Sequence, residues 1–589
     1  MRLKQLLCTA VMVAFWCTST ITLAQTQVTF TSPTLLATLE GPYGTSQMSI
    51  GMYATDLGYS TSFNGELRVL FGDAVSDGYT TPIAIPNGWP FGFQADDTQG
   101  KISLSQSGGF PTGDSVEQWA AQAGHAKTPA WRSTGPTLDM RLNGTKVAPI
   151  QVWDGGANGT ALYMGPGRTP IGAFSNNASS GGGVFAFFAR QVATLCTTSA
   201  SCGTGYVCDV NMGTCFGDNS ENAVPCSRVP ATNRCPCWMP LPSFGVCQDQ
   251  TSSMYAPTED GRVLSTVLRN RIGNADQSHN WEEVYYSKEF RTNKFNNLSV
   301  RTVSDFSPSR AVTSSANHFW PADGTGAHEA VFMWGRPNYL GYGTATHRSA
   351  KLYLAYSAMP SYGSTGPVGF TPKYFSGFSN TSGCTTGGAS GSYPCFSSDP
   401  SKAWPLDLSY GTTACTQTGT TDRCTEQLDI VNQHTISWVP GMNRFVMLYG
   451  GDVPPSFMEY LAGPNYGSLV RNPDGAMYFR YAQYPWGPWS QPVPILKAGP
   501  RNPPTAGLQY AVNGTLYDPY CTPPGSNCVA ADPGAIFSSE DQAVGRLYGP
   551  NIVDEWTMTR SSTVSDIYWF LSTWDPYEVV IAKTHLTLQ

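Results

Sequence analysis

Residues 53–77 read YATDLGYSTSFNGELRVLFGDAVSD, and the middle of that stretch decides the fold. Asn64-Gly65 is the dipeptide that a tight hairpin turn demands, because both central residues of the turn need positive φ. On its far side Glu66 to Phe71 alternates polar and apolar and then turns apolar, as a half-buried strand does. The reading is a β-hairpin with Asp56 and Asp73 at the ends of its two strands, so that two carboxylates meet at one mouth of a sheet. Paired carboxylates are what glycoside hydrolysis uses, one to protonate the leaving oxygen and one to activate water or attack the sugar. The plainer alternative is that Asp56 caps a turn and Asp73 ends a strand.

Working outward, the same theme recurs: a short apolar strand, a turn, another short strand. It is seen at 184–190, 263–268, 330–334, 351–357, 434–439, 445–449, 476–482, 567–572 and 578–584. Of the 589 residues, 61 are Gly and 44 are Pro; aromatic residues make up 12% and charged ones 13%. Many short strands without long amphipathic helices between them indicate an all-β body, a sandwich or a propeller. The propeller is favoured because the last hairpin resembles the inner ones and can close a ring with the first.

The formal charge of -7 argues against a phosphate-backbone ligand, which would call for concentrated Lys and Arg. A neutral carbohydrate suits this surface better. Arg2 and Lys4 precede the apolar run 6–16, and a small-residue exit lies at 22–24, so residues 1–24 read as an export signal. The run is short for a membrane span. The expectation is a secreted or periplasmic, monomeric protein, with no cofactor and no metal. The 7 histidines show neither HxH nor HExxH spacing.

Two of the 16 cysteines, Cys8 and Cys17, fall in the signal, and the remaining even number suits an oxidising compartment. Eight crowd into 196–247, and six form local couples: Cys384 with Cys395, Cys415 with Cys424, and Cys521 with Cys528. The dense cluster contains no CxxC pair and no histidine, which favours disulfides over zinc. It reads as a small disulfide-rich insertion over 191–250, interrupting a body made of 25–190 and 251–589.

Three segments taken in order carry a family resemblance: ATDLG at 54–58 with VLFGDA at 69–74; MYFRYAQYPWGPWSQP at 477–492; and YGPNIVDEWT at 548–557 with STWDPYEVVIAKT at 572–584. Together they resemble a bacterial domain-of-unknown-function family of five-bladed β-propellers whose characterised members include endo-D-arabinanases. The resemblance implies a funnel on the propeller axis lined by acids of the first blade, with Asp56 and Asp73 as the catalytic pair. Asp97, in the doublet Asp96-Asp97, is a candidate third carboxylate; a solvated turn is the alternative. The chain departs from the family where an acid tends to precede a strand ending like VMLYG, since Gln433-His434 stands there. Glu426 and Asp429 are the nearest acids.

Polar residues set in apolar strands complete the candidate site. Gln433 and His434 can hydrogen-bond sugar hydroxyls, and Tyr548 and Trp574 can stack on sugar faces. Arg336 and Arg480 interrupt apolar runs, where a guanidinium either sets the pKa of a nearby Asp or makes a structural ion pair. The functions these residues allow are an endo-acting glycoside hydrolase on arabinan or a related furanose polymer, a non-catalytic carbohydrate-binding propeller, and a cell-surface adhesion module. A carboxyl separation of roughly 5–5.5 Å marks a retaining hydrolase and roughly 6.5–9.5 Å an inverting one.

Overall fold

The computed structural model describes residues 27–40, 52–76, 97–103, 113–122, 138–139, 150–153, 161–163, 169–176, 182–191, 206–209, 214–217, 263–270, 281–285, 295–303, 330–336, 352–408, 433–450, 477–496, 546–574 and 578–589, save a few positions within them. The chain is all-β apart from one α-helix, Gly113–Gln122, and short 3-10 turns among these residues. The expected hairpin is present: strands Met52–Phe63 and Glu66–Ser76 pair antiparallel across Asn64 (φ 51°) and Gly65 (φ 75°). Both turn residues are left-handed, the geometry that matches the twist of the flanking strands.

Among the described residues there are five sheets of four or more strands. Each has one edge strand at the centre of the molecule, in chain order Met52–Phe63, Thr169–Asn176, Asn297–Val303, His434–Val439 and Arg546–Ile552. Each of these packs against the next, and the last packs against the first, so the five follow one another in a closed circle. They run in the same direction: Tyr548 meets Asp56 and Asn551 meets Ser60 further along. Gly549 lies by Gln433 and Ile552 bonds Thr435 further along. Gly172 lies by Val300, with Ser175 and Thr302 on one cavity further along, and Ser175 meets Ser62 late in both strands.

Packing explains why the strands read as near-continuous apolar runs. In Ala330–Arg336 every residue is buried, with Phe332 and Trp334 facing one core and Val331 and Met333 facing another. The first of these cores lies between the third and fourth sheets, the second between the second and third. Three further cores fill the remaining gaps around the circle. A strand covered on both faces has no polar side to alternate.

The fifth sheet joins distant parts of the chain. Strand Glu578–Leu588 pairs with Val28–Phe30 and, further along, with Thr34–Glu40. The circle is therefore fastened by two N-terminal strands, which the sequence pattern did not reveal.

In the second sheet, Gly183–Gln191 and Val263–Asn270 are antiparallel neighbours, with Gln191 opposite Val263. The cysteine-rich stretch departs from the sheet and returns to it at adjacent positions. Of that stretch the structure describes one small ribbon, Tyr206–Asp209 with Thr214–Gly217, in which Cys208 stands opposite Cys215. The expected couple Cys384–Cys395 is a disulfide. The couples at Cys415 and Cys521, the export signal and most of the cluster lie outside the described residues.

Candidate functional site

The amino ends of the five central strands gather several of the expected residues. Asp56 sits inside its strand rather than at its end, opposite Gly72 and 6% exposed. The strand is irregular there: Leu57 (φ 66°) and Gly58 (φ 108°) are both left-handed. A non-glycine residue with positive φ needs support from its surroundings. Leu57 receives it from the fifth sheet, its N–H donating to Ser572 Oγ at 2.7 Å and its C=O accepting from the same hydroxyl at 3.2 Å. The bulge aims Asp56 at Tyr548, whose hydroxyl donates to Asp56 Oδ2 at 2.7 Å.

Gln433 joins them from the fourth sheet. Gly549 (φ +58°) follows Tyr548, and a Cβ added there would lie 3.0 Å from Leu57 Cδ2 and 3.2 Å from Gln433 Oε1. Glycine thus permits the close approach of three strands. Asp56, Gln433 and Tyr548 come together from the first, fourth and fifth sheets.

The other expected residues are placed as follows. Asp73 is a strand residue next to Gly72, the partner of Asp56, and its side chain lies outside the described residues. Asp97 is fully buried and precedes strand Thr98–Ser103; the pairing of Phe71 with Thr98 sets it beside Gly72 on the third strand. Two strand spacings, roughly 9–10 Å, separate its backbone from that of Asp56. His434 is buried with Nε2 3.1 Å from the Trp334 carbonyl oxygen, which joins the fourth sheet to the third. Arg336 is fully buried opposite Asn297, the first residue of the third central strand.

Arg480 lies on the third strand of its sheet. It donates to Tyr449 Oη at 2.9 Å and to the Leu408 and Ser490 carbonyls at 3.0 Å each. Trp574 pairs through its backbone with Arg546 at the start of the fifth central strand, and its side chain is outside the described residues. Glu426 and Asp429 are outside them as well.

The carboxyl ends of the central strands hold a second polar group that the sequence reading did not single out. Arg301 is 7% exposed and reaches across the circle. It donates to Thr435 Oγ1 at 2.6 Å, Asn551 Oδ1 at 3.2 Å and the Ile552 carbonyl at 2.9 Å, so one guanidinium ties the third, fourth and fifth strands. Asn551 in turn donates to Ser60 Oγ at 2.9 Å. Beyond Arg301 lies a cavity of about 350 Å³ that also receives Asp554 and Glu555. Asp554 accepts from Ser437 Oγ, and its Oδ2 lies 3.3 Å from Arg301 Nε.

Crowding by protein raises the pKa of Asp554, although Arg301 and Ser437 oppose it. Glu555 is pushed up to about 7 by burial and by the charge of Asp554. Tyr59 lies between the two ends, where burial and the Asp56 charge hold its phenol well above the usual range.

No family model matches the chain, and no curated protein matches it. Among solved structures it is similar to a putative hydrolase from Bacteroides ovatus, at 6% identity and TM-score 0.35 over 91% of this chain and 86% of that one. It is also similar to the catalytic domain of a Coprinopsis cinerea GH62 alpha-L-arabinofuranosidase, at 8% identity and TM-score 0.30 over 94% and 96%. A Dyadobacter fermentans protein of unknown function shows 8% identity and TM-score 0.29 over 95% and 99%. At these scores the likeness does not bear on the activity of this chain. Among the described residues no helix is long and apolar enough to cross a membrane.

Proposed function

We propose that the chain is an exported glycoside hydrolase built on a five-bladed β-propeller with a disulfide-rich insertion. It acts at the amino-end mouth of the axis, in endo fashion, on arabinan or a related furanose-containing polymer. The observation that carries this reading is a nearly buried aspartate on an innermost strand, Asp56, held by the Tyr548 hydroxyl at 2.7 Å beside Gln433. The tyrosine orients Asp56, as a general base or nucleophile must be oriented. Asp73 and Asp97, at the same end of the first sheet, are the candidates for the proton-donating partner. The Gln433 amide is suited to orienting a sugar hydroxyl, since it both donates and accepts. In this reading residues 1–24 are removed on export, 191–250 form the insertion, and 25–190 with 251–589 form a monomeric catalytic body.

The test is incubation of the purified protein with arabinans, galactans and xylans, with products separated by size. Cleavage of one polymer, reduced by roughly a hundred- to ten-thousand-fold in Asp56→Asn with the fold intact, is the expected result. Saturable binding of a polymer without cleavage by the wild-type protein would instead make it a carbohydrate-binding propeller. Cleavage at the wild-type rate by a folded Asp56→Asn protein would remove this residue from the chemistry.

A further inference from the structure

The cavity at the carboxyl ends of the central strands is separate from the Asp56 mouth. Arg301 spans the circle between them, and buried Tyr59 feels the charges of both Asp56 and Arg301. Four of the five central strands or their extensions line the cavity, through Ser60, Ser175, Arg301 and the Asp554-Glu555 pair among others. Its volume of about 350 Å³ is at the lower end of ligand pockets, which run from roughly 300 to 1,000 Å³. That is room for one small ring and its hydration.

The lining is polar in a way that internal pairing does not exhaust. The Arg301 side chain is only 8% exposed, yet its Nε–H makes no hydrogen bond, because Asp554 Oδ2 at 3.3 Å lacks the alignment of one. A buried donor of this kind is costly unless something accepts from it. Asp554 keeps 40% of its side-chain surface exposed, so its oxygens can still be reached from the cavity. Thr302, half-buried at the rim, adds a hydroxyl.

Charge narrows the ligand class. Arg301 offsets Asp554, and Glu555 near neutrality is shared between its neutral and charged forms. The site therefore carries between zero and one net negative charge, which disfavours anions. Among the described residues no three His, Cys, Asp or Glu side chains converge as ligands for a metal ion. What remains is a guanidinium N–H, carboxyls that accept and, when protonated, donate, and several hydroxyls, with Val300 and Ile552 as a small apolar patch. This is a complement for vicinal hydroxyls on a ring with one C–H face.

We infer that this cavity is a second binding site, for a single neutral sugar unit, on the opposite end of the axis from Asp56. It does not rest on the hydrolase reading, since it uses none of the residues of the Asp56 mouth.

The experiment is calorimetric titration of the full chain with arabinose, xylose, galactose and glucose, each at millimolar concentration. It is run on the wild type, Asp56→Asn, Thr302→Trp and Ser62→Trp. One site for at least one sugar is expected, unchanged in Asp56→Asn and weakened by about tenfold or more, or roughly 1.4 kcal/mol, when tryptophan fills the cavity. Two filling variants are used so that one that fails to fold leaves the other. No heat with any of the four sugars overturns the proposal. So does binding lost in Asp56→Asn yet retained in a folded filling variant, a result that would leave the hydrolase reading standing.

Discussion

Replacing Arg301 by leucine tests whether the axis is held by one guanidinium. The substitution keeps much of the aliphatic stem and removes every donor. Thr435 Oγ1 still accepts from the Ile552 N–H at 3.1 Å, so it is not left bare. Asn551 Oδ1 and the Ile552 carbonyl lose charged donors at 3.2 and 2.9 Å in a buried setting, at about 1–3 kcal/mol each. Asp554 loses its cation, but with 40% of its side chain exposed water offsets most of that loss. The total expected is about 3–5 kcal/mol, the range for breaking a buried charged network on one side. Arg301→Lys should recover part of it, because an ammonium keeps the charge but cannot reach three strands with a planar fork. The assay is equilibrium urea unfolding, followed by tryptophan fluorescence and far-ultraviolet circular dichroism together. A loss below about 1 kcal/mol for Arg301→Leu, with an unchanged dependence on urea, would refute the reasoning.

Three further outcomes are expected. Glu555, with its pKa raised from 4.5 to about 7 in the fold, favours folding while protonated; that contribution is complete below about pH 4.5 and is lost as pH rises through 7. Glu555→Gln should therefore raise the melting temperature at pH 8 more than at pH 5, and an equal shift at both would contradict the assignment. Opening the Cys384–Cys395 bridge by a double alanine substitution should cost up to roughly 3 kcal/mol, as loop closure over 11 residues predicts, measured by the same urea titration. Deleting 192–262 and joining Gln191 to Val263 through Asn-Gly should leave the melting temperature within a few degrees, because those residues already face each other across a ladder; an insoluble or unfolded product would show that the insertion clamps the sheets.

How much was legible in the sequence depended on the range of the interaction. The Asn64-Gly65 turn declared itself because its chemistry is local, and strand His434–Val439 has the bounds its apolar run implies. The bulge at Leu57-Gly58 could not be read, since what stabilises it is Ser572, more than five hundred residues away. The pairing of Thr34–Glu40 with Glu578–Leu588 was hidden for the same reason. Tyr548 drew attention as an aromatic platform, but its hydroxyl turned out to be what meets Asp56. Arg301 was overlooked because an arginine in the alternating run NLSVRTV reads as the solvent side of a half-buried strand. On an innermost strand, that side faces the axis instead of water.

This last point accounts for the placement of both polar groups. Where five sheets pack face to face, the apolar side chains are consumed between them, and the positions left for polar groups are the axis and its two ends. Because the central strands run in the same direction, residues early in each strand assemble at one mouth and late residues at the other. Asp56, Gln433 and Tyr548 belong to the first set; Ser175, Arg301 and the extension through Asp554 and Glu555 belong to the second. Arg301 separates a carboxylate held by a neutral phenol from carboxyls under mutual repulsion. The two ends thus differ in electrostatics by construction, so a single substitution at one should leave the electrostatics of the other intact.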